Sequence, residues 1–392
     1  MSRYHSYLNT AKTILAGYRG EEPFASFLKK FFSLHKKYGS KDRKFIGHLC
    51  YCFFRMGKME NKMPMEEKIL QGLFLCSDQP NELLDELRPE WNDKVSLVIK
   101  EKFSLLNTQQ TLFNVFPWKE ELSTGIDHEK FCESFFIQPS LFLRLRPGRQ
   151  KEVGKKLGNA GIAFDIIDDN CLALPNASKV DQVIELNREA VVQDYSSQRI
   201  ADFFRRAKLK QADRVWDCCA ASGGKSIMLH DLYPTIDLTV SDKRESIMIN
   251  LEKRFKEAGI RKYKGFVADL ANKNFEIHPR SHRDSKFEFI ICDAPCSGSG
   301  TWSRTPEQLH YFEKKKIDEY ASLQMKILSN VMPHLQPAGY LLYITCSVFK
   351  KENETIVQFI QQTGLRLAEM KLLKGYDKKA DTMFAALFQK TL

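Results

Sequence analysis

The sequence predicts a multidomain chain: an all-α N-terminal domain, a small α/β module, and a C-terminal α/β domain on a mostly parallel, doubly wound sheet. Three observations carry this. Apolar residues recur at helical spacing over residues 1–120, strand-like and helix-like stretches mix over 121–190, and short apolar runs alternate with helical patterns over 191–392. A length of 392 residues is enough for several full-size cores.

In the first region, "FASFLKKFFSLHKKYG" sets Phe24, Leu28, Phe31 and His35 on one helical stripe, with Lys29, Lys30, Lys36 and Lys37 elsewhere. "RKFIGHLCYCFFRMG" reads as a second apolar helix closing on Gly57. In the second region, "SLFLRLRP" alternates like a strand and "GRQKEVGKKLGNAG" like a helix. "IAFDIIDDNCLAL" reads as a strand pair turned at Asp169-Asn170. In the third, "RVWDCCA", "DLTVSD", "GFVADL", "FEFIICDAP" and "GYLLYITCS" read as strands.

Hydrophobic residues make up 43% of the chain, which fits a globular protein and excludes a disordered one. Lys and Arg number 60 against 49 Asp and Glu, a net charge of +11, which favours a polyanionic partner. The basic residues Lys29, Lys30, Lys36, Lys37, Lys41, Arg43 and Lys44 form either a solvated face or an RNA-facing surface of the helical domain. No run approaches the ~18 apolar residues of a membrane span, and "MSRYHSYLNTAKTILAGYRG" lacks a signal peptide's apolar block, so a cytoplasmic location is expected. The ten cysteines contain no C-x-x-C pair, so neither a metal site nor a disulfide framework is expected.

"VWDCCAASGGKS" ends like a phosphate-cradling loop, but the position six before Lys225, where such a loop opens on glycine, is Cys219. The stretch reads instead as a glycine turn between strand and helix that holds a different ligand. In a doubly wound sheet ligands sit beyond the carboxyl ends of the strands, and four such ends carry Asp217, Asp242, Asp269 and Asp293. An acidic residue after the second strand offers acceptors to a ribose diol, so a nucleoside-bearing cofactor is expected; an NAD-type Gly-x-Gly-x-x-Gly is missing. Cys296 and Cys346 follow two further strand runs on the same edge, each preceding a serine. Two thiols there point to covalent chemistry on an electrophile.

"VVQDYSSQ", "DCCAASGGKS", "SDKRESIMINLEKR", "VADL", "DAPCSGSGTWSRTPE", "LQMKILSNVMPHLQPAGYLLYITCSVFKKENE" and "DTMFAALF" occur in order, and this series resembles the NOL1/NOP2/Sun family of RNA cytosine-5 methyltransferases. The helical start, with "SKDRKFIGHLCYCFFR", resembles the NusB-like domain of bacterial RsmB/Sun-type rRNA enzymes. The resemblance implies a Rossmann-like methyltransferase domain over 191–392, an RNA-recognition-like module over 121–190, a NusB-like RNA-binding domain over 1–120, and S-adenosylmethionine as cofactor. It implies that Asp217, Cys219, Ala220, Ala221, Gly223, Gly224 and Lys225 cradle the methionine end, that Asp242 with Arg244 takes the ribose, and that Asp269 flanks the adenine. Asp293 would line both donor and base, Cys346 would add to cytosine carbon-6, and Cys296 would serve release. Ser222 and Ser303 depart from the family's usual proline and arginine. A monomer acting on RNA, with 16S rRNA as the expected target and tRNA as the alternative, follows from the same resemblance. Two competing readings are a DNA-type mechanism with Cys296 as nucleophile and an RNA-binding assembly factor with a vestigial methyltransferase fold.

Overall fold

The computed structural model describes residues 3–59, 63–106, 111–275 and 286–391. They form two compact units: Met1–Leu122, Ile126–Gln138 and Thr301–Lys314 in the first, Ser123–Gly125, Pro139–Gly300 and Lys315–Leu392 in the second.

The first unit is helical. Helices Phe24–Leu34 and Ser40–Arg55 fall where the apolar spacing predicts them. The second begins with the Gly39 N–H donating to Asp42 Oδ2 at 2.9 Å and is followed by Gly57 at φ +58°, a conformation glycine adopts without strain. His35 is a correction: it caps the first helix and is exposed, whereas Phe24 and Phe32 are buried. The helix stops before the stripe reaches His35. The unit extends past residue 120 through helix His128–Ser134, whose Asp127 cap accepts from the Glu129 and Lys130 N–H groups.

Segment Thr301–Lys314, expected within the C-terminal domain, folds with this helical unit instead. Trp302 and Leu309 are buried, and the Trp302 ring stands 4.7 Å from Phe312 and 6.1 Å from Phe116. Lys58 Nζ donates to the His310 carbonyl at 2.7 Å and Tyr311 Oη to the Tyr18 carbonyl at 2.9 Å. An aromatic-rich stretch gains more by joining an aromatic core than by lying as a solvated loop.

The second unit holds two sheets. The smaller contains β1 (Leu141–Leu145), β2 (Asp165–Asp168), β3 (Cys171–Leu174) and β4 (Ala190–Val192) in antiparallel order β2-β3-β1-β4. Helix Gln150–Asn159 buries Val153 and Leu157 among Leu143, Leu172 and Ala190. The turn between β2 and β3 is closed by Asp168 Oδ1 accepting from the Asn170 N–H at 2.9 Å. Because β4 pairs with β1, this sheet ends at Val192 rather than at residue 190.

The larger sheet contains β5 (Arg214–Asp217), β6 (Asp237–Asp242), β7 (Lys264–Val267), β8 (Phe287–Asp293), β9 (Leu335–Thr345), β10 (Leu365–Leu373) and β11 (Met383–Lys390), in the order β10-β11-β9-β8-β5-β6-β7. β7, β6, β5, β8 and β9 are parallel, and β11 runs antiparallel to both β9 and β10. Successive side chains serve opposite faces: Val215, Phe289 and Ile291 enter one core with Phe255 and Ile227, while Trp216, Ile290 and Cys292 enter the other with Tyr343 and Ile356. This is the doubly wound, Rossmann-like architecture expected. Strands β10 and β11 are not among the expected runs; in β11, "MFAALF" is apolar throughout and its periodicity does not separate a buried strand from a buried helix.

Candidate active site

β5 ends at Asp217 and the chain turns through Cys218 to Gly223 into helix Gly224–Leu232. The turn is tight: Ala221 has φ +45° and Gly223 φ +79°, and a Cβ on Gly223 would lie 2.6 Å from Phe255. Ser222, in place of the family's proline, binds Arg254, whose Nη1 donates to Ser222 O at 2.7 Å and Oγ at 2.6 Å. Arg254 supplies by hydrogen bonding some of the rigidity that a proline ring would bring.

Asp217 is buried, and burial pushes its carboxyl up to about 7. Oδ2 accepts from Ser226 Oγ at 2.6 Å, but Oδ1 is buried with no partner among the described residues. A buried acceptor in that state marks a place for a ligand donor. The αL turn, the bare helix start at Gly224 and this oxygen together fit the amino-acid end of the expected cofactor.

At the end of β6, Asp242 is buried and accepts from the Ala221 N–H at 3.2 Å, the Arg244 N–H at 3.0 Å and Arg244 Nε at 3.1 Å. It thereby ties the β5 turn to the β6 exit, with Arg244 Nη2 as a further, longer donor to Oδ2 at 3.5 Å. Asp269 lies two residues past β7, exposed, and Lys243, 2.8 Å from its Oδ2, holds its carboxyl below the usual range. Asp293, at the end of β8, accepts from Lys225 Nζ at 2.6 Å. Burial disfavours the Lys225 charge, but Asp293 and Asp217 outweigh it and raise the ammonium pKa.

Cys296 and Cys346 meet. Their Sγ atoms are 3.3 Å apart, although fifty positions separate them in the chain. The neighbouring Cys346 sulfur and burial hold the Cys296 thiol well above its ordinary pKa, which keeps its proton in place. Cys346 adds the last and smallest contribution to the raised Lys225 pKa, which places the two side chains in the same neighbourhood. The Gly300 N–H donates to the Cys346 carbonyl at 2.8 Å, and a Cβ on Gly300 would meet the Thr382 carbonyl at 1.9 Å, so only glycine fits where the two turns touch β11's approach.

Sequence reasoning missed four supports: Ser226 beneath Asp217, Arg254 on Ser222, and the buried Glu352 and Gln324 behind the two cysteine turns. "KENE" gave no chemical signal, since a buried acid in a charged run reads as a solvated one. Cys219 also meets Cys218 and Cys292, with all three Sγ atoms within 4.8 Å. Hydrogen bonds from Cys218 and Cys219 lower the Cys292 thiol pKa. The spacing in the chain gives no sign of this group, which joins two strands and, among the described residues, offers three of the four donors of a structural zinc site. Ser303 lies in the segment that folds with the helical unit.

Residues 206–387 match the family model described as 16S rRNA methyltransferase RsmB/F. A ribosomal RNA small subunit methyltransferase B from Xanthomonas campestris is 32% identical over 244 residues, covering 60% of this chain and 53% of the relative. One from Enterobacter sp. is 31% identical over 174 residues, covering 44% and 39%. The chain thus spans about half or less of the length of these curated relatives. Among solved structures, PH0851 is similar over 100% of this chain and 99% of its own, with TM-score 0.71 and 18% identity. NSun6 from Pyrococcus horikoshii, solved with SFG, is similar over 72% of this chain and 97% of its own, with TM-score 0.57 and 15% identity. At these identities the structural likenesses speak for the fold, and the sequence match lies in residues 206–387, a little under half of the chain, which are similar to the RsmB/F methyltransferase family.

Proposed function

We propose that this protein is an S-adenosylmethionine-dependent RNA cytosine-5 methyltransferase acting on small-subunit rRNA through a cysteine adduct at carbon-6. The single observation that carries the chemistry is the 3.3 Å approach of the Cys296 and Cys346 sulfurs at the carboxyl edge of the sheet. The rRNA target is supported by the relatives, which are small-subunit rRNA methyltransferases by name, and by the net charge of +11.

The cofactor supplies an electrophilic methyl group on a sulfonium. Asp217 and the turn to Lys225 would hold its methionine end, with the unpartnered Oδ1 receiving the ammonium; Cys219, Ala220, Ala221, Gly223 and Gly224 form that wall. Asp242 would take the ribose hydroxyls, Arg244 would steady Asp242, and Asp269 would border the adenine.

Cytosine carbon-5 is a poor nucleophile until a thiolate bonds to carbon-6 and makes the ring an enamine. Cys346 would be that thiol, with the Cys296 sulfur 3.3 Å away and Lys225 as the positive charge nearby. Asp293, engaged by Lys225, accepts from the base's amino group rather than donating a proton. Once the Cys346 sulfur is bonded to carbon, the largest of the interactions that hold the Cys296 proton is gone, while burial continues to hold its pKa up. After carbon-5 has taken the methyl group, Cys296, having given its own proton to solvent, would remove the carbon-5 proton as a thiolate; that C–H pair forms the ring double bond and expels the Cys346 thiolate. The base must leave its stack to enter, which a loop of structured RNA permits.

Incubation with RNA and donor, followed by denaturing electrophoresis, tests this. Cys296→Ala should give a slow-migrating RNA–protein band that is absent from Cys346→Ala and from the double variant. An adduct in Cys346→Ala would revive the DNA-type mechanism, and no methyl transfer by the unmodified protein on any RNA would favour an assembly factor with a vestigial fold. Bisulfite sequencing of RNA from a deletion strain decides between rRNA and tRNA.

A further inference from the structure

Each reactive cysteine is followed by a serine, and both serines converge on one carboxylate. The Ser297 N–H donates to Glu352 Oε2 at 2.8 Å, and Ser347 Oγ donates to Glu352 Oε1 at 2.8 Å. Gln324 Nε2 reaches Glu352 Oε2 at 3.2 Å and the Pro295 carbonyl at 3.0 Å, adding a third strut on the residue before Cys296. Ser299 Oγ lies 3.2 Å from Ser347 Oγ and accepts from the Val348 N–H at 2.9 Å, which laces the two turns directly. Glu352 itself is fixed by Tyr343, whose Oη donates to its carbonyl at 2.6 Å. Glu352 and Gln324 are fully buried.

A buried carboxylate is costly unless its oxygens are filled by donors, and here both are. Spending such a group deep in a methyltransferase fold needs a reason. The geometry supplies one: the two strand-end turns come from β8 and β9, and nothing in strand pairing alone sets the distance between side chains beyond the last paired residues, Asp293 and Ile344. The distance is set by what the turns share.

Building on the covalent reading above, we infer that Glu352 is a positioning residue: its carboxylate, with Gln324 as brace, holds the Cys296 and Cys346 turns in the register that lets one sulfur stay bonded to carbon-6 while the other reaches the proton on carbon-5. Addition needs Cys346 alone. Release needs both sulfurs placed across one carbon–carbon bond, and a misplacement of about 1 Å costs about 10²-fold in such a step. Loosening the clamp therefore slows release more than addition.

The test uses the full-length protein with structured RNA and donor, comparing Glu352→Ala, Glu352→Gln, Gln324→Leu and Cys296→Ala. In Glu352→Gln the amide oxygen can accept from Ser297 and Gln324 while its NH₂ group faces a hydroxyl able to rotate, so this variant should turn over within about fivefold of the parent. Glu352→Ala should lose roughly 10²-fold in turnover with donor affinity unchanged, and should accumulate the denaturant-resistant RNA adduct that Cys296→Ala accumulates. Gln324→Leu should show the same adduct to a smaller extent, giving an independent reading if Glu352→Ala folds poorly. If Cys296→Ala traps adduct while neither Glu352→Ala nor Gln324→Leu does, the clamp is refuted and the covalent reading stands. If Cys296→Ala itself traps none, it is the covalent reading that falls.

Discussion

Lys225 Nζ stands 2.6 Å from Asp293 Oδ2, joining the helix after β5 to the end of β8. The two side chains are mostly buried, at 12% and 26% exposure, so removing one leaves a poorly solvated charge. Lys225→Met should lower stability by about 1–3 kcal/mol and slow alkylation of Cys346 at neutral pH about tenfold in a Cys296→Ser background. Equal alkylation rates would remove Lys225 as the source of positive potential.

Asp217 gives a pH signature. Its folded pKa of about 7 lies above the ordinary 3.8, so between those values the unfolded chain has lost the proton while the folded protein keeps it. Stability from this group is fully present below about pH 4, falls as pH rises towards 7, and is then level, a loss of order 4 kcal/mol at most. Asp217→Asn should flatten that part of the stability profile and raise the melting temperature at pH 8 while abolishing donor binding. Binding a cationic ammonium favours the carboxylate, so S-adenosylmethionine should release a proton near pH 6. Calorimetry in buffers of different ionisation enthalpy reads it; the same apparent enthalpy in each would dismiss the pairing.

Asp242→Ala should weaken S-adenosylmethionine by ~1.5–3 kcal/mol, as expected for charge-assisted hydrogen bonds, with the domain still folded. The Ala221 N–H and Arg244 lose their acceptor in the same change, so the affinity loss should exceed that of Asp269→Ala, whose carboxylate is exposed and braced by Lys243 and the Ala271 N–H. Isothermal titration of both variants gives the ranking.

Deleting residues 1–120 is a poor test of RNA binding by the helical unit, because Thr301–Lys314 would lose the core that buries Trp302 and Leu309. That truncation should bind an apolar dye and aggregate. Charge neutralisation is cleaner: Lys29, Lys30, Lys36, Lys37, Lys41, Arg43 and Lys44 are all at least partly exposed. Replacing four of them by Gln should leave melting unchanged and reduce the salt slope of RNA affinity by about 0.7 for each phosphate that is no longer neutralised. An unaltered slope would return these residues to a solvated face.

Much of the fold was legible along the chain because parallel central strands are short, apolar and stopped by polar residues, and because a glycine turn, four acids and two cysteines each sit at such a stop. "RVWDCCA" and "FEFIICDAP" announced β5 and β8, and with them Asp217 and Asp293. What the chain could not announce depends on distance through space. The 3.3 Å between Cys296 and Cys346, the thiol cluster of Cys218, Cys219 and Cys292, and the convergence of Ser297 and Ser347 on Glu352 exist only once β5, β8 and β9 lie side by side. The transfer of Thr301–Lys314 to the helical unit is of the same kind. Local patterns report which backbone state a segment prefers and which face it buries. Which polar groups share one buried pocket, and which core adopts a loop's aromatic rings, is fixed by tertiary packing, where an unpaired buried group or an empty cavity costs more than any local preference can offset.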